Sequence, residues 1–175
     1  MTTLAVFTAL VGVMCLLNLF LTFGIIRRLR QPGGAQPQPW DLGSSLPVPG
    51  HEIGPFTVTT ADGRRLSNDR LLDGTVVIFL APECTTCRER LPEVVRWARG
   101  ADRERVLAVI DGQVSDVSDL VEMLSPVAQV VVETRGESLR ELFGVSAFPA
   151  FCVVSDGAVR SASLDLAHLP TASRS

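Results

Sequence analysis

The chain has 175 residues, which suffices for one ordinary domain and one additional segment. Its net charge of −3 gives no support for a nucleic-acid partner, and four cysteines are too few for a small disulfide-stapled scaffold. The mean hydropathy of +0.29 is high for a soluble protein, because apolar residues concentrate in the first 26 residues.

The first predicted element is a membrane-spanning helix at residues 4–26. This run is uncharged and mostly apolar, and as a helix of about 34 Å it would cross the ~30 Å hydrocarbon core of a bilayer. A cleaved signal peptide fits less well, because no basic segment precedes the run and no A-x-A-like site follows it. Arg27, Arg28 and Arg30 follow directly, which favours a cytoplasmic globular domain by the positive-inside rule.

Residues 27–50 are predicted to form a linker, since the stretch 31–50 carries five prolines and four glycines and cannot build a packed core. A globular domain is predicted at residues 51–168. Its apolar runs predict strands at 76–81, 106–110, 127–132 and 150–154. Helical spacing predicts helices at 84–98, 117–124 and 138–143.

Two Asp-Gly pairs predict tight turns in this domain. Asp62-Gly63 would join strands at 56–60 and 64–66, and Asp156-Gly157 would lead from the last apolar run into a strand at 158–164. Strands alternating with helices predict an α/β domain with a partly parallel, mixed sheet.

Cys84 and Cys87 form a Cys-x-x-Cys pair where a buried strand passes into a helix. Such a pair can be half of a zinc site, a haem attachment site or a redox dithiol. Haem attachment is excluded because no histidine follows the second cysteine. A zinc site would need two further ligands from Cys152, His51 and His168, which lie far apart in the sequence.

The position of the pair favours redox chemistry. Cys84 would lie at the N-terminus of the helix, where unpaired N–H groups and the helix dipole favour a thiolate. Cys87, one turn further on, would be buried on the apolar stripe and could act as the resolving thiol. Among the flanking charges, Glu83 would raise the thiol pKa, whereas Arg88 and Arg90 would lower it unless they only form a solvated face.

Two segments resemble thioredoxin-like proteins. Residues 79–93 (FLAPECTTCRERLPE) resemble the active-site stretch, and residues 144–157, with Phe148-Pro149 and Asp156-Gly157, resemble the segment that bears a cis-proline. The resemblance covers residues 52–165 and is strongest to the membrane-tethered TlpA/ResA group and to MauD, a methylamine-dehydrogenase accessory protein. It implies a thioredoxin fold, with a central mixed sheet flanked by helices.

The resemblance also implies the roles of individual residues. Cys84 would be the attacking thiol and Cys87 the resolving thiol of a thiol–disulfide oxidoreductase of the protein-disulfide reductase type. Pro149 would be the cis-proline, the backbone at Phe148 would pair with a substrate strand, and Pro92 would kink the active-site helix. The expected partners are protein thiols or disulfides and an upstream electron donor or acceptor, without a cofactor or metal.

The sequence departs from the pattern of these relatives at three positions. Glu83 replaces the tryptophan that usually precedes the first cysteine, and Ile78 replaces a buried acid of ordinary thioredoxins. Arg90 stands where the TlpA/ResA group often has a glutamate. Both usual proton-handling carboxylates are therefore absent, which is compatible with a weakened or specialised reductase. The remaining domain cysteine, Cys152, is predicted to be a buried hydrophobic residue.

Three other functions are conceivable for a Cys-x-x-Cys pair in this fold. A peroxidase of the same fold is disfavoured because its Pro-x-x-x-Thr/Ser-x-x-Cys signature is missing, and copper chaperones of this fold have three residues between the cysteines. A dedicated assembly factor for another redox protein stays open.

The resemblance also bears on localisation. Because tethered relatives work outside the cytoplasm, we expect a single-pass membrane protein with an extracytoplasmic domain, although Arg27, Arg28 and Arg30 favour the cytoplasmic side.

Overall fold

A computed structural model describes residues 45–112, 116–133 and 138–168, together with Gly12 and Met14. The chain divides into two compact units, Met1–Gln38 and Pro39–Ser175, and the fold described here belongs to the second. In the described ranges, no helix is long and apolar enough to cross a membrane. The predicted span at 4–26 lies outside these ranges except for Gly12 and Met14, as does the predicted linker up to residue 44.

The described residues form eight strands: β1 (His51–Glu52), β2 (Thr57–Thr59), β3 (Arg65–Ser67), β4 (Thr75–Leu80), β5 (Val106–Asp111), β6 (Gln129–Glu133), β7 (Ala150–Ser155) and β8 (Ala158–Ser163). Six of them make one sheet in the order β1-β8-β7-β4-β5-β6, and β2 pairs with β3 in a separate hairpin. Strands β4, β5 and β6 run parallel, whereas β7, β8 and β1 join by antiparallel pairing. The predicted mixed sheet is confirmed.

Three α-helices lie in the described ranges: α1 (Thr85–Ala98), α2 (Ser118–Leu124) and α3 (Leu139–Leu142). Short 3-10 turns occupy Asn68–Arg70, Arg103–Arg105 and Leu166–His168. The predicted element types are correct, but the strand predicted at 127–132 begins only at Gln129. The N–H groups of Val127 and Ala128 bond instead to the carbonyl of Leu124, which closes the end of α2.

Both faces of the sheet are covered, which explains why every residue of β4 is buried. Ile78 and Leu80 point into a first core cluster that also contains Cys87, with α1 and α2 packed over it. Val77 and Phe79 point into a second core cluster, which is closed by the β2–β3 hairpin and by Leu139 and Phe143 at the two ends of α3.

The last residues of the predicted linker contact the domain. The carbonyl of Ser45 accepts the N–H of Ser146 at 3.0 Å, and the N–H of Gly50 bonds to the carbonyl of Val159 at 2.8 Å. Leu46 packs against the second core cluster. The residues from Ser45 onward are therefore part of the folded unit in the structure.

Candidate redox site

Cys84 is the N-cap of α1. Its backbone is extended, with φ −79° and ψ 107°, and its Sγ accepts the N–H of Cys87 at 3.1 Å. The first N–H groups of a helix have no partner within the helix, and the positive end of the helix dipole lies there. The sulfur of Cys84 is thus placed where negative charge is stabilised, as the sequence predicted.

Cys84 and Cys87 are joined by a disulfide, with their Cα atoms 5.2 Å apart. Cys84 is half-buried, whereas Cys87 is 0 % exposed within the first core cluster. Of the two cysteines, only Cys84 has surface that a partner arriving from solvent can contact. The burial of Cys87 agrees with its predicted position on the apolar stripe of the helix.

The loop before the disulfide is held by the helix that follows it. Arg88 Nε donates a hydrogen bond of 2.7 Å to the carbonyl of Pro82, two residues before Cys84. Two residues further along α1, Arg90 forms an ion pair of 3.0 Å with Asp165, next to the last 3-10 turn. These two arginines therefore do more than form a solvated helix face, because each one holds another segment of the chain against α1.

The peptide bond between Phe148 and Pro149 is cis, which confirms the predicted cis-proline. Because β7 runs antiparallel to β4, the start of β7 lies beside the end of β4, and Ala150 pairs with Phe79. Pro149 thus lies at the sheet edge from which the chain leads to Cys84. Phe148 is half-buried and packs against the first core cluster, the one that contains Cys87.

The backbone before the cis-proline is unpaired. In the part of the chain that the structure describes, Ala147 and Phe148 make no backbone hydrogen bond, although Val145 and Ser146 before them bond to Arg140 and Ser45. Exposed backbone groups of this kind can pair with an extended peptide that adds itself as a strand. The segment Ala147–Phe148 is therefore a candidate docking edge at the end of the sheet from which the chain leads to Cys84.

Pro92 lies inside α1 with its side chain exposed. It has no N–H, so the carbonyl of Arg88 lacks its usual helical donor. The helix nevertheless continues to Ala98. The kink predicted at Pro92 stays a prediction.

Among the described residues, Glu133 is the buried acid, and it lies two strand positions after Val131 of the second core cluster, so it is on the sheet face opposite Cys87. Ile78, which stands at the position of the buried acid of ordinary thioredoxins, is 0 % exposed and belongs to the first core cluster. The absence of a buried carboxylate from the face of Cys87, as far as the described residues go, agrees with the departure read from the sequence.

Sequence reasoning missed a buried acid on the other face of the sheet. Glu133 ends β6 and is 5 % exposed, and burial raises the pKa of its carboxyl. The carboxylate accepts the N–H of Arg140 at 3.2 Å and also that of Leu139, both in the first turn of α3. An acid directly after an apolar strand run was the available signal, but its partners are set by the tertiary structure.

Cys152 lies in the middle of β7, opposite Val77, and is 0 % exposed in the second core cluster. Burial raises the pKa of its thiol to about 12, which confirms the prediction of a buried hydrophobic residue. The other candidate zinc ligands lie elsewhere: His51 Nε2 contacts the carbonyl of Leu142 at 2.9 Å, and His168 lies in the last 3-10 turn. Within the described ranges, no group of three or more His, Cys, Asp or Glu side chains could hold a metal ion.

No protein-family model matches the sequence, and no curated protein matches it at a significant level. The fold is similar to solved structures of three bacterial proteins. A thio-disulfide isomerase from Thermus thermophilus superimposes with a TM-score of 0.53 at 19 % identity, covering 66 % of this chain and 85 % of that one. The thioredoxin domain of a thiol-disulfide oxidoreductase from Bacteroides vulgatus gives a TM-score of 0.55 at 18 % identity, covering 67 % and 89 %. StoA from Bacillus subtilis gives 0.52 at 18 % identity, covering 65 % and 89 %.

These likenesses confirm the fold predicted from the two sequence segments. The domain carries its Cys-x-x-Cys disulfide at the N-terminus of α1 and its cis-proline at the start of β7. It therefore has the thioredoxin fold.

Proposed function

We propose that the protein exchanges disulfides with partner proteins through Cys84 and Cys87. The observation that carries the proposal is the placement of a half-buried N-cap cysteine, disulfide-bonded to a fully buried one, beside an unpaired backbone segment that ends in a cis-proline. A reacting sulfur and a docking edge for an extended peptide thus lie at the same end of the sheet.

In the reducing direction, the Cys84 thiolate attacks one sulfur of a partner disulfide. A mixed disulfide forms, and the second partner sulfur leaves as a thiolate. Cys87 then loses its proton and attacks the Sγ of Cys84, which breaks the mixed disulfide and releases the partner as a dithiol. The Cys84–Cys87 disulfide that results is returned to the dithiol by a donor dithiol, which is itself oxidised to a disulfide.

The surroundings of Cys87 favour a specialised rather than a general reductase. Attack by Cys87 requires loss of its proton in the first core cluster, on a sheet face where the described residues include no buried carboxylate. Desolvation disfavours the thiolate there, so the second step should be slow unless the docked partner supplies a proton acceptor. This supports the alternative of an assembly factor that acts on one dedicated redox protein.

Reduction of insulin disulfides by the full-length chain in mild detergent, with dithiothreitol as donor, tests the proposal. We expect Cys84→Ser to abolish the activity and Cys152→Ala to leave it unchanged, because among the cysteines that the structure describes Cys84 is partly exposed whereas Cys87 and Cys152 are buried. Equal, measurable rates for wild type and Cys84→Ser would refute disulfide exchange at this pair.

A trapping experiment separates a general reductase from a dedicated factor. The Cys87→Ala variant cannot resolve the mixed disulfide, so it retains its partners covalently on Cys84. Expression in the native host followed by non-reducing electrophoresis should show one dominant adduct for an assembly factor and many adducts for a general reductase.

The proposed enzyme is tethered to the cell membrane by the apolar segment 4–26, with its redox domain on the extracytoplasmic side. The length of the uncharged run supports the tether, and the resemblance to tethered oxidoreductases supports the side. Reporters fused after residue 44 test it: alkaline phosphatase should be active and green fluorescent protein dark. The reverse result would place the domain in the cytoplasm, as Arg27, Arg28 and Arg30 indicate.

A further inference from the structure

Arg140 lies over the side chain that precedes the cis-proline. Its guanidinium carbon is 5.7 Å from the ring centroid of Phe148, which is within cation–π distance. Both side chains are half-buried, and the Phe148 ring also packs against the first and second core clusters. The ring is therefore held between the core and one guanidinium.

The backbone of Arg140 is itself fixed from two directions. The buried carboxylate of Glu133 accepts the N–H of Arg140, and the carbonyl of Arg140 accepts the N–H of Val145 at 2.9 Å. Leu139, the preceding residue, is 2 % exposed in the second core cluster. A contact from such a fixed position restricts the Phe148 ring more than a contact from a mobile surface arginine would.

The guanidinium forms no salt bridge among the described residues, since the salt bridges there involve Arg64, Arg90 and Arg103. It contacts the Phe148 ring, and its charge also acts on the buried carboxylate of Glu133, where it partly offsets the rise in pKa that burial causes. The backbone of Phe148, by contrast, makes no hydrogen bond within the described ranges. The side chain of Phe148 is thus anchored while its backbone is left open, which is the arrangement a preformed docking edge requires.

We propose that Arg140 is a positioning residue that holds Phe148 and so preforms the docking edge for the partner peptide. This inference rests on the proposed disulfide exchange and adds the residue that sets the affinity for protein substrates. Without Arg140, the segment before Pro149 samples arrangements that cannot pair with a peptide. The apparent affinity then falls in proportion to the fraction of the competent arrangement.

Two substrates, one that has to pair with the docking edge and one that does not, test the proposal on the full-length chain. Insulin has to pair with the docking edge, whereas hydroxyethyl disulfide is small and neutral and reaches Cys84 without it. For Arg140→Gln we expect the KM for insulin to rise about 3- to 10-fold, the range that a cation–π contact accounts for. The kcat for insulin and both constants for hydroxyethyl disulfide should stay within about twofold of wild type, in accord with a loss of binding only.

Two further variants guard the interpretation. Arg140→Lys keeps the cation over the ring and should recover at least part of the insulin KM, and Arg160→Gln, an exposed arginine on β8, should change nothing. An unchanged insulin KM in Arg140→Gln overturns the inference, as does an equal loss on both substrates, which would indicate general structural damage. A wild-type chain inactive on both substrates would instead overturn the proposed function, and the inference with it.

Discussion

Cys87 and Cys152 are both 0 % exposed, yet their surroundings differ in the features that control sulfur chemistry. Cys87 lies in the first turn of α1, bonded to the half-buried N-cap Cys84. Cys152 lies in the middle of β7, enclosed by the second core cluster and distant in sequence from any helix N-terminus. Burial alone therefore does not decide whether a cysteine can take part in disulfide exchange. Cys87 can take part because it is bonded to the half-buried Cys84, whereas Cys152 has no disulfide partner among the described residues.

The largest expected difference concerns alkylation. After reduction of the native chain at pH 8, iodoacetamide should modify Cys84 at least about 10³-fold faster than Cys152, because a thiol with a pKa of about 12 is almost wholly protonated there. Peptide mapping by mass spectrometry measures both rates. Both cysteines should react alike in guanidinium chloride, and rapid labelling of Cys152 in the native chain would contradict the comparison.

The next effect is on alkaline stability. The pKa of Cys152 is raised from 9.0 to about 12 by burial, so between these values the unfolded chain loses a proton that the folded chain keeps. Stability should therefore fall as pH rises, by up to about 1.4 kcal/mol per pH unit. The chain has no tyrosine or lysine to titrate in this range.

Urea unfolding of the oxidised chain at pH 8 to 11 measures this dependence. The Cys152→Ala variant is the matched control, since it keeps Cys15 and the Cys84–Cys87 disulfide. Its free energy of unfolding should decline less steeply with pH than that of wild type. Parallel curves would show that Cys152 does not titrate as its burial requires.

The smallest effect is expected at the ion pair between Arg90 and Asp165. Both side chains are partly exposed, at 35 % and 44 %, so Arg90→Gln should lower the free energy of unfolding only slightly. The N–H of Ala167 and the guanidinium of Arg90 hold the pKa of Asp165 below its ordinary value. The contribution is therefore present at neutral pH and disappears as pH falls through that lowered pKa, so the difference between wild type and Arg90→Gln in urea unfolding should shrink progressively from pH 7 to pH 2.

Much of the site was predictable because its signals are local. The apolar run of β4 followed by helical spacing places Cys84 at a helix N-terminus and Cys87 on the buried stripe. The resemblance of residues 144–157 added the cis-proline, which the structure contains. Strand periodicity and turn residues are short-range properties, so they survive in the sequence without tertiary information.

The sequence by itself determined the α/β class, the Cys84–Cys87 pair and the inert setting of Cys152. Only the tertiary structure decided that Arg88 holds the loop before Cys84, that Glu133 fixes α3, and that Arg140 covers Phe148. The last two contacts depend on strand direction, because the parallel strand β6 ends, and the antiparallel strand β7 begins, at the same end of the sheet, with β4 and β5 between them. The charges of Glu133 and Arg140 have no periodic signature that reveals their partners, so these contacts are decided by how the segments after β6 and before β7 pack.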